Sequence, residues 1–459
     1  MTSHASCRCA LTRLRVRIET CLVPNRANRE QADEAERRHG ADVSSCAVMK
    51  LLSCVRSGCR LQRVPHLDAL HLRFSSSFFT EQHEELRRSV RKIVEKDINP
   101  YVEQWEESGQ FDGRTLFKKM GDAGLLGITR PVELFNGLGV MQGDYDIKLK
   151  ADASPVSVNT SCILVARSLF SPPVFFLGSH FLAQTELRQR LEAEKLECSI
   201  MILDCGAILE LHIKTTAERR GDDLVINGGK MWITNGCQAD WMCLLANTRR
   251  DGPRHRTKSL ICLPLKTPGV TVARSIKKMG HHSSDTAQLF FEDVRVPAKN
   301  IIGEEGMGFI YQMLQFQEER LAAAISSAPV MDRIIRETRD YCRQRKVFGA
   351  PLIQNQVIQF RLAELQTEVE AFRALCYRAA GQLMEGENVT LLASMAKLKC
   401  GRLLREVADS CLQYWGGMGY SDEVLISRSF RDARLFSIGA GADEVMLAII
   451  AKMTGSADK

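Results

Sequence analysis

The 459-residue chain is predicted to be mostly α with a middle β domain. The expected order is an N-terminal helical domain, a small antiparallel β barrel or sandwich, and a C-terminal four-helix bundle. Three observations predict it. Apolar residues recur at spacings of three and four from Thr80 to about residue 130, and again from Gly306 to the end. Between Ile213 and about Ile302 they come instead in short β-prone runs separated by turn residues. The chain closes with four long helical stretches joined by short breaks, the pattern of a bundle.

Residues 1–79 read as a targeting or disordered N-terminus. Residues 1–18 carry Arg8, Arg13, Arg15 and Arg17 and no acid, and residues 49–79 repeat the pattern with Asp68 as the single acid. Arg-rich, Ser-containing, acid-poor segments are typical of mitochondrial presequences, so the mitochondrial matrix is the expected destination. Residues 19–48 fit a presequence poorly, since they include Glu19, Glu30, Asp33, Glu34, Glu36 and Asp42. Met49 is therefore the better start, with removal near Arg73–Ser77.

Residues 80–197 are assigned to the N-terminal helical domain. Thr80-Glu81-Gln82 opens a helix whose apolar face is Leu86, Val90, Ile93 and Val94, and a second helix runs around Thr115–Ala123 to Gly124. Residues 133–197 are atypical, and through residue 212 no period is sustained. The middle β domain is placed at 198–303. Asn227-Gly228-Gly229 signals a hairpin between β-prone runs. Strands follow at Trp241–Ala246, Ser259–Leu265, Val270–Ala273 and Ala287–Val296. The bundle occupies 304–459, with helices at 308–344, 353–384, 388–413 and 441–453. Ile358, Leu362, Leu365 and Val369 mark one core-facing stripe.

Composition excludes several classes. The most apolar segment, around Leu169–Leu182, is broken by Pro172, Pro173, Gly178 and His180. No integral membrane segment is expected, since a spanning helix needs about 20 apolar residues. The net charge of +7 forms no basic stripe interleaved with aromatics, so no nucleic-acid partner is expected. A mild positive balance suits attraction of a polyanion such as a CoA ester. The sixteen cysteines include no CxxC pair and no zinc-spaced group with His, so no metal site is expected and a reducing compartment is.

Five segments then point to one family. KMWITNG at 230–236, EDVRVP at 292–297, RKVFGAPLIQNQ at 345–356, QYWGGMGY at 413–420 and RDARLFSIGAGADEVM at 431–446 resemble the acyl-CoA dehydrogenases in order and spacing. The resemblance covers about residues 80–132 and 213–453. It implies an FAD-dependent homotetramer that oxidises acyl-CoA to 2-enoyl-CoA and passes electrons to electron-transfer flavoprotein.

That reaction needs a base for the α-proton and a hydride acceptor, which FAD supplies. A carboxylate in a dry pocket suits the base, because desolvation favours its protonated form. The family's commonest position for this Glu corresponds to Ala440, which cannot take a proton. Long-chain and isovaleryl-type members instead carry it immediately before an Arg on the first bundle helix, and here Glu319 and Arg320 occupy those positions. Glu319 is therefore the expected catalytic base, with Glu318 the adjacent decoy. Arg320, Ala440 and Gly441 are expected on the substrate side, where the main-chain N–H at 440 helps polarise the thioester carbonyl. Trp232 and Thr234 match residues that pack on and hydrogen-bond the isoalloxazine. Arg345, Phe348 and Gln356 match residues that reach FAD in a neighbouring subunit. Gln413, Gly416 and Gly417 match a turn that brings main chain close to the adenosine diphosphate.

One loop departs from the pattern. Where the family has T/S-E-x-G-A-G-S-D, this chain places Ile202 and Leu203 at the first pair and Ile208 and Leu209 at the last. Apolar side chains cannot donate the hydrogen bonds that loop makes to flavin. A catalytically impaired member acting as an assembly or binding subunit is the alternative expectation. A peroxisomal acyl-CoA oxidase is a third, though the chain ends Ser456-Ala457-Asp458-Lys459 rather than in a Ser-Lys-Leu-like signal.

Overall fold

The chain divides into two units, Met1–Ser76 and Ser77–Lys459. A computed structural model describes Phe79, residues 81–123, Leu125, the backbone of 201–203, and residues 213–456, all in the second unit. The expected targeting segment, residues 133–197, Ile208 and Leu209 lie outside the described residues.

The N-terminal helices follow the apolar stripe. Helix α1 (Glu81–Ile93) has Glu81 and Glu84 in its first turn and Arg91 and Lys92 in its last, which suits the helix dipole. The chain continues through a π turn (Val94–Ile98) and a 3₁₀ turn (Asn99–Tyr101) into α2 (Val102–Ser108), which ends at left-handed Gly109. Helix α3 (Gly113–Asp122) starts earlier than its apolar pattern suggests. Asp112 caps it by accepting from the Thr115 N–H at 3.1 Å. Val90, Val94, Ile98, Leu116 and Met120 share one buried cluster.

The middle domain is one eight-stranded sheet. Its strands are β1 (Met201–Leu203), β2 (Thr216–Arg220), β3 (Asp223–Thr234), β4 (Trp241–Asn247), β5 (Lys258–Pro264), β6 (Val270–Ser275), β7 (Thr286–Pro297) and β8 (Ile301–Ile302). The path runs β6-β7-β3-β2-β4-β5-β8, with β1 on β4. Pairing is antiparallel apart from β1 and β2, which meet β4 in parallel. β4 is buried on both faces. Met242, Leu244 and Ala246 join one core cluster, while Trp241, Cys243 and Leu245 join another. That is why its sequence is a continuous apolar run rather than an alternating one.

Asn227-Gly228-Gly229 is not a hairpin turn. β3 passes straight through it with a register shift between Ile226 and Gly228, and the β2–β3 reversal comes at Gly221-Asp222. The glycines serve close approach instead. Gly228 has φ +136°, and a Cβ there would lie 2.8 Å from Thr215 Cα. The Asn227 side chain bonds across the irregularity, donating to Asp293 Oδ1 at 3.0 Å and accepting from the Asp293 N–H at 2.9 Å. Local turn chemistry was overridden by the long β3–β7 ladder.

The C-terminal helices are α4 (Gly308–Gln344), α5 (Gln356–Met384), α6 (Thr390–Trp415), α7 (Leu425–Ala433) and α8 (Asp443–Met453). A small hairpin of β9 (Lys346–Val347) and β10 (Ala350–Pro351) joins α4 to α5. The three long helices share the largest buried cluster, including Leu321, Ile335, Leu365, Phe372, Ala396 and Val407. The sequence pattern missed α7 because its nine residues bury only Ile426, Ser427 and Ala433. Three polar contacts tie the layers together. Arg114 meets Asp240 at 2.6 Å, Arg428 meets Glu106 at 2.7 Å, and the His281 N–H donates to Asp432 at 2.5 Å.

Gly228→Ala is expected to destabilise the protein by about 1–3 kcal/mol, because the added methyl must displace backbone. Gly221→Ala, with open space around it, should cost only the left-handed backbone penalty of about 1 kcal/mol. Urea denaturation of the two variants checks the order.

Candidate active site

α4 begins on the sheet. Gly308 packs so tightly that a Cβ would lie 2.5 Å from the Leu260 N, and the Gly306 N–H donates to Ser259 Oγ at 2.8 Å. From there the helix enters the bundle carrying Phe316, Glu319, Arg320 and Ala323, all buried. Glu319 is 7% exposed, whereas Glu318 is only partly buried. Arg320 lies over the Phe316 ring at 5.8 Å and donates from Nε to the Ala440 carbonyl at 3.4 Å. Burial pushes the Arg320 guanidinium below its ordinary value, and the neighbouring Glu319 carboxylate opposes that shift. The fold thus brings Arg320 to the Ala440 carbonyl from 120 residues away, with Glu319 buried next to it on α4.

Ala440 sits in a turn between α7 and α8 with φ +53°, followed by Gly441 at φ +99°. Lys397 of α6 is 2% exposed and donates from Nζ to the Gly441 carbonyl. Sequence reasoning passed over Lys397. Its signal was present: it lies on the apolar face with Ala393, Ala396, Cys400 and Leu404, where a cation is out of place without a partner.

Trp232 and Thr234 lie together on β3. A register shift between Lys230 and Ile233 takes Trp232 to φ +67° and leaves its indole 57% exposed. Irregularities of this kind re-aim a side chain out of the ladder. Beyond Thr234 the loop is held by Asp285, another residue the sequence reading missed. Its carboxylate is buried and accepts from the Cys237 N–H and Gln238 Nε2, each at 2.8 Å.

Gln413, Gly416 and Gly417 are exposed at the end of α6, and no atom lies within 4 Å of a Cβ built on either glycine. Arg345, Phe348 and Gln356 are not brought to this region. They are exposed around the β9–β10 hairpin, with Phe348 and Gly349 both left-handed at its tip. Among the described residues none of the three makes a hydrogen bond, ion pair or ring contact to β3 or to the 440 turn. No cluster of three or more metal-ligating side chains occurs among the described residues, and no described helix is long and apolar enough to cross a membrane.

The architecture and these motifs have close counterparts. Residues 80–191 match the profile of the acyl-CoA dehydrogenase N-terminal domain, 207–294 that of the middle domain, and 306–454 that of the C-terminal domain. The long-chain specific acyl-CoA dehydrogenase of Rattus norvegicus is 35% identical over 381 residues, which is 82% of this chain and 86% of the relative. The chain belongs to the acyl-CoA dehydrogenase family. The short-chain specific enzyme of Mus musculus is 33% identical over 83% of this chain and 92% of its own length. The crystal structure of the Geobacillus kaustophilus acyl-CoA dehydrogenase superposes with a TM-score of 0.69 at 33% identity. That match covers 82% of this chain and 98% of that one. The N-terminal profile runs to residue 191, through much of the stretch whose sequence showed no period.

A flavin fits the described residues at three points. Trp232 offers a large exposed aromatic surface, Asn235 Oδ1 is buried without a described partner, and the 416–417 main chain is open. Against it, the β1 segment carries Ile202 and Leu203.

His281 marks the contact between the sheet domain and α7. Its ring is buried, neither ring nitrogen has a hydrogen-bond partner among the described residues, and Nδ1 lies 4.0 Å from Asp432 Oδ2. Burial pushes the imidazole below its ordinary 6.5, with Asp432 opposing the shift. A histidine depressed by folding is protonated first in the unfolded chain, so stability present above about pH 6.5 is lost on acidification. His281→Gln should reduce the loss between about pH 7 and pH 5.5 by about 1 kcal/mol. Urea unfolding at the two pH values reads this, and an unchanged loss assigns it to other groups.

Proposed function

We propose that the chain is an FAD-dependent acyl-CoA dehydrogenase in which Glu319 removes the α-proton of a bound acyl-CoA. The observation that carries this is the buried Glu319–Arg320 pair on α4, whose Arg320 meets the Ala440 carbonyl, while position 440 itself holds no carboxylate. Buried beside Phe316 and Ala323, Glu319 is screened from bulk water, and Arg320 supplies the adjacent countercharge. The main-chain N–H at Ala440 would polarise the thioester carbonyl, which acidifies the α-carbon. Arg320 and Gly441 complete the substrate side. Bound FAD would supply the acceptor for the β-hydride, so that loss of the α-proton and β-hydride gives 2-enoyl-CoA. Trp232 and Thr234 would hold the isoalloxazine, Gln413, Gly416 and Gly417 the adenosine diphosphate, and Arg345, Phe348 and Gln356 the FAD of a neighbouring copy. The exposed, left-handed Phe348 suits such a reach, since strain of this kind persists where function requires it. The assignment extends to a homotetramer that passes electrons to electron-transfer flavoprotein, and to a mitochondrial location, for which the mitochondrial relatives speak.

A second reading rests on Ile202, Leu203, Ile208 and Leu209, which replace polar residues expected against the flavin. On that reading the chain assembles with related subunits and turns over poorly. The two readings part on cofactor retention. Each lost hydrogen bond costs about 1–3 kcal/mol, so purified protein should lose FAD on dilution, read from its visible absorbance after gel filtration. Stoichiometric flavin after that step removes the impaired reading.

In a version with the polar loop restored, Glu319→Gln should lower turnover by about 10²–10⁴ with FAD content unchanged, and Glu318→Gln should be nearly silent. Glu319→Gly with Ala440→Glu should recover part of the activity. Full turnover in Glu319→Gln removes the base assignment.

A further inference from the structure

The turn reads Gly439-Ala440-Gly441, and a glycine on each side of Ala440 permits many orientations of its main-chain N–H. Ala440 itself is left-handed, a conformation that disfavours a residue with a Cβ by about 1–2 kcal/mol. Something must hold it.

Upstream, the Ile438 and Gly439 N–H groups both donate to the Leu435 carbonyl at 2.8 Å. Those two bonds fix the peptide planes entering the turn. Downstream, the two successive carbonyls are each taken by a buried cation. Arg320 donates to the Ala440 oxygen at 3.4 Å and Lys397 donates to the Gly441 oxygen. They fix the planes leaving it. The peptide that carries the Ala440 N–H lies between the two clamped ends. No main-chain carbonyl among the described residues accepts from the N–H of Ala440, Gly441 or Ala442.

α6 is shaped for this contact. Gly401 lies one helical turn after Lys397, on the same face. A Cβ at Gly401 would stand 2.6 Å from the Phe436 carbonyl oxygen and 2.7 Å from Ser437 Oγ. The missing side chain lets α6 press against the 436–441 segment, and Lys397 then reaches the Gly441 carbonyl from within the core. A carbonyl that accepts from a cation also makes its own peptide N–H a stronger donor.

We propose that Lys397 is a positioning residue: with Arg320 it locks the Ala440–Gly441 turn so that the turn's N–H groups face the thioester carbonyl of a bound acyl-CoA. The proposal rests on the dehydrogenase reading of the site. Lys397 touches neither substrate nor flavin and acts through the Gly441 carbonyl.

The test compares two ligands in a Glu319→Gln background with the polar loop restored, so that neither is turned over. One is a saturated acyl-CoA. The other is the matching S-alkyl-CoA thioether, whose carbonyl is replaced by a methylene. The ratio of their dissociation constants, measured by calorimetry, isolates recognition of the carbonyl. Lys397→Met should reduce the thioester preference about tenfold, the loss of one well-placed hydrogen bond to a polarised group, with thioether affinity unchanged. Lys397→Gln keeps an N–H donor and should restore part of the preference, and it carries the test if the Met variant does not fold. An undiminished preference in Lys397→Met, or an equal loss for both ligands, overturns the positioning role while leaving the dehydrogenase reading intact. Equal affinity for the two ligands in the Glu319→Gln parent overturns the thioester site itself, and the proposal with it.

Discussion

Placing charge inside the bundle is the constraint on which the site depends. α4 must carry Glu319 and Arg320 through a core otherwise made of Leu321, Ala324, Ile325 and Ala328. An unpaired charge there would cost several kcal/mol. The cost is offset by closing the distant 438–441 turn over the helix, so that the Ala440 carbonyl meets Arg320. Lys397 solves the same problem from α6 with the next carbonyl along. The turn needs the cations to keep its shape, and the cations need the turn's oxygens to remain buried.

The sheet meets a different demand. Its strands bury both faces of β4, yet it must present a polarised, exposed edge at Trp232–Thr234. The register shift before Ile233 reconciles the two: Ile233 returns to the core while Trp232 turns outward. Asp285 then fixes the following loop by accepting from both a main-chain and a side-chain donor.

Much of this was legible in the amino-acid order. The stripe Ile358, Leu362, Leu365 and Val369 could only be a helix face, and all four are buried. The runs at β4, β5 and β7 were readable because short apolar runs lie between turn residues, with aromatic and β-branched residues clustered in β7. Local signals failed where a long-range contact outbid them. Asn227-Gly228-Gly229 carries hairpin chemistry, but nine paired positions with β7, on both sides of it, kept it within one strand. Helix α7 was missed because it is short, nine residues of which only Ile426, Ser427 and Ala433 are buried.

The sequence by itself determined the helical, β and helical layers and the family, because each of these is written in short motifs and in periodicity. It could not determine which side chains meet across the fold. Arg320 and Ala440 are 120 residues apart, and Lys397 and Gly441 are 44 apart. Only packing α6 against the turn through Gly401 brings Lys397 to that carbonyl. Contacts between distant segments depend on how closely backbones approach, and that distance is set by the tertiary structure, not by local chain chemistry.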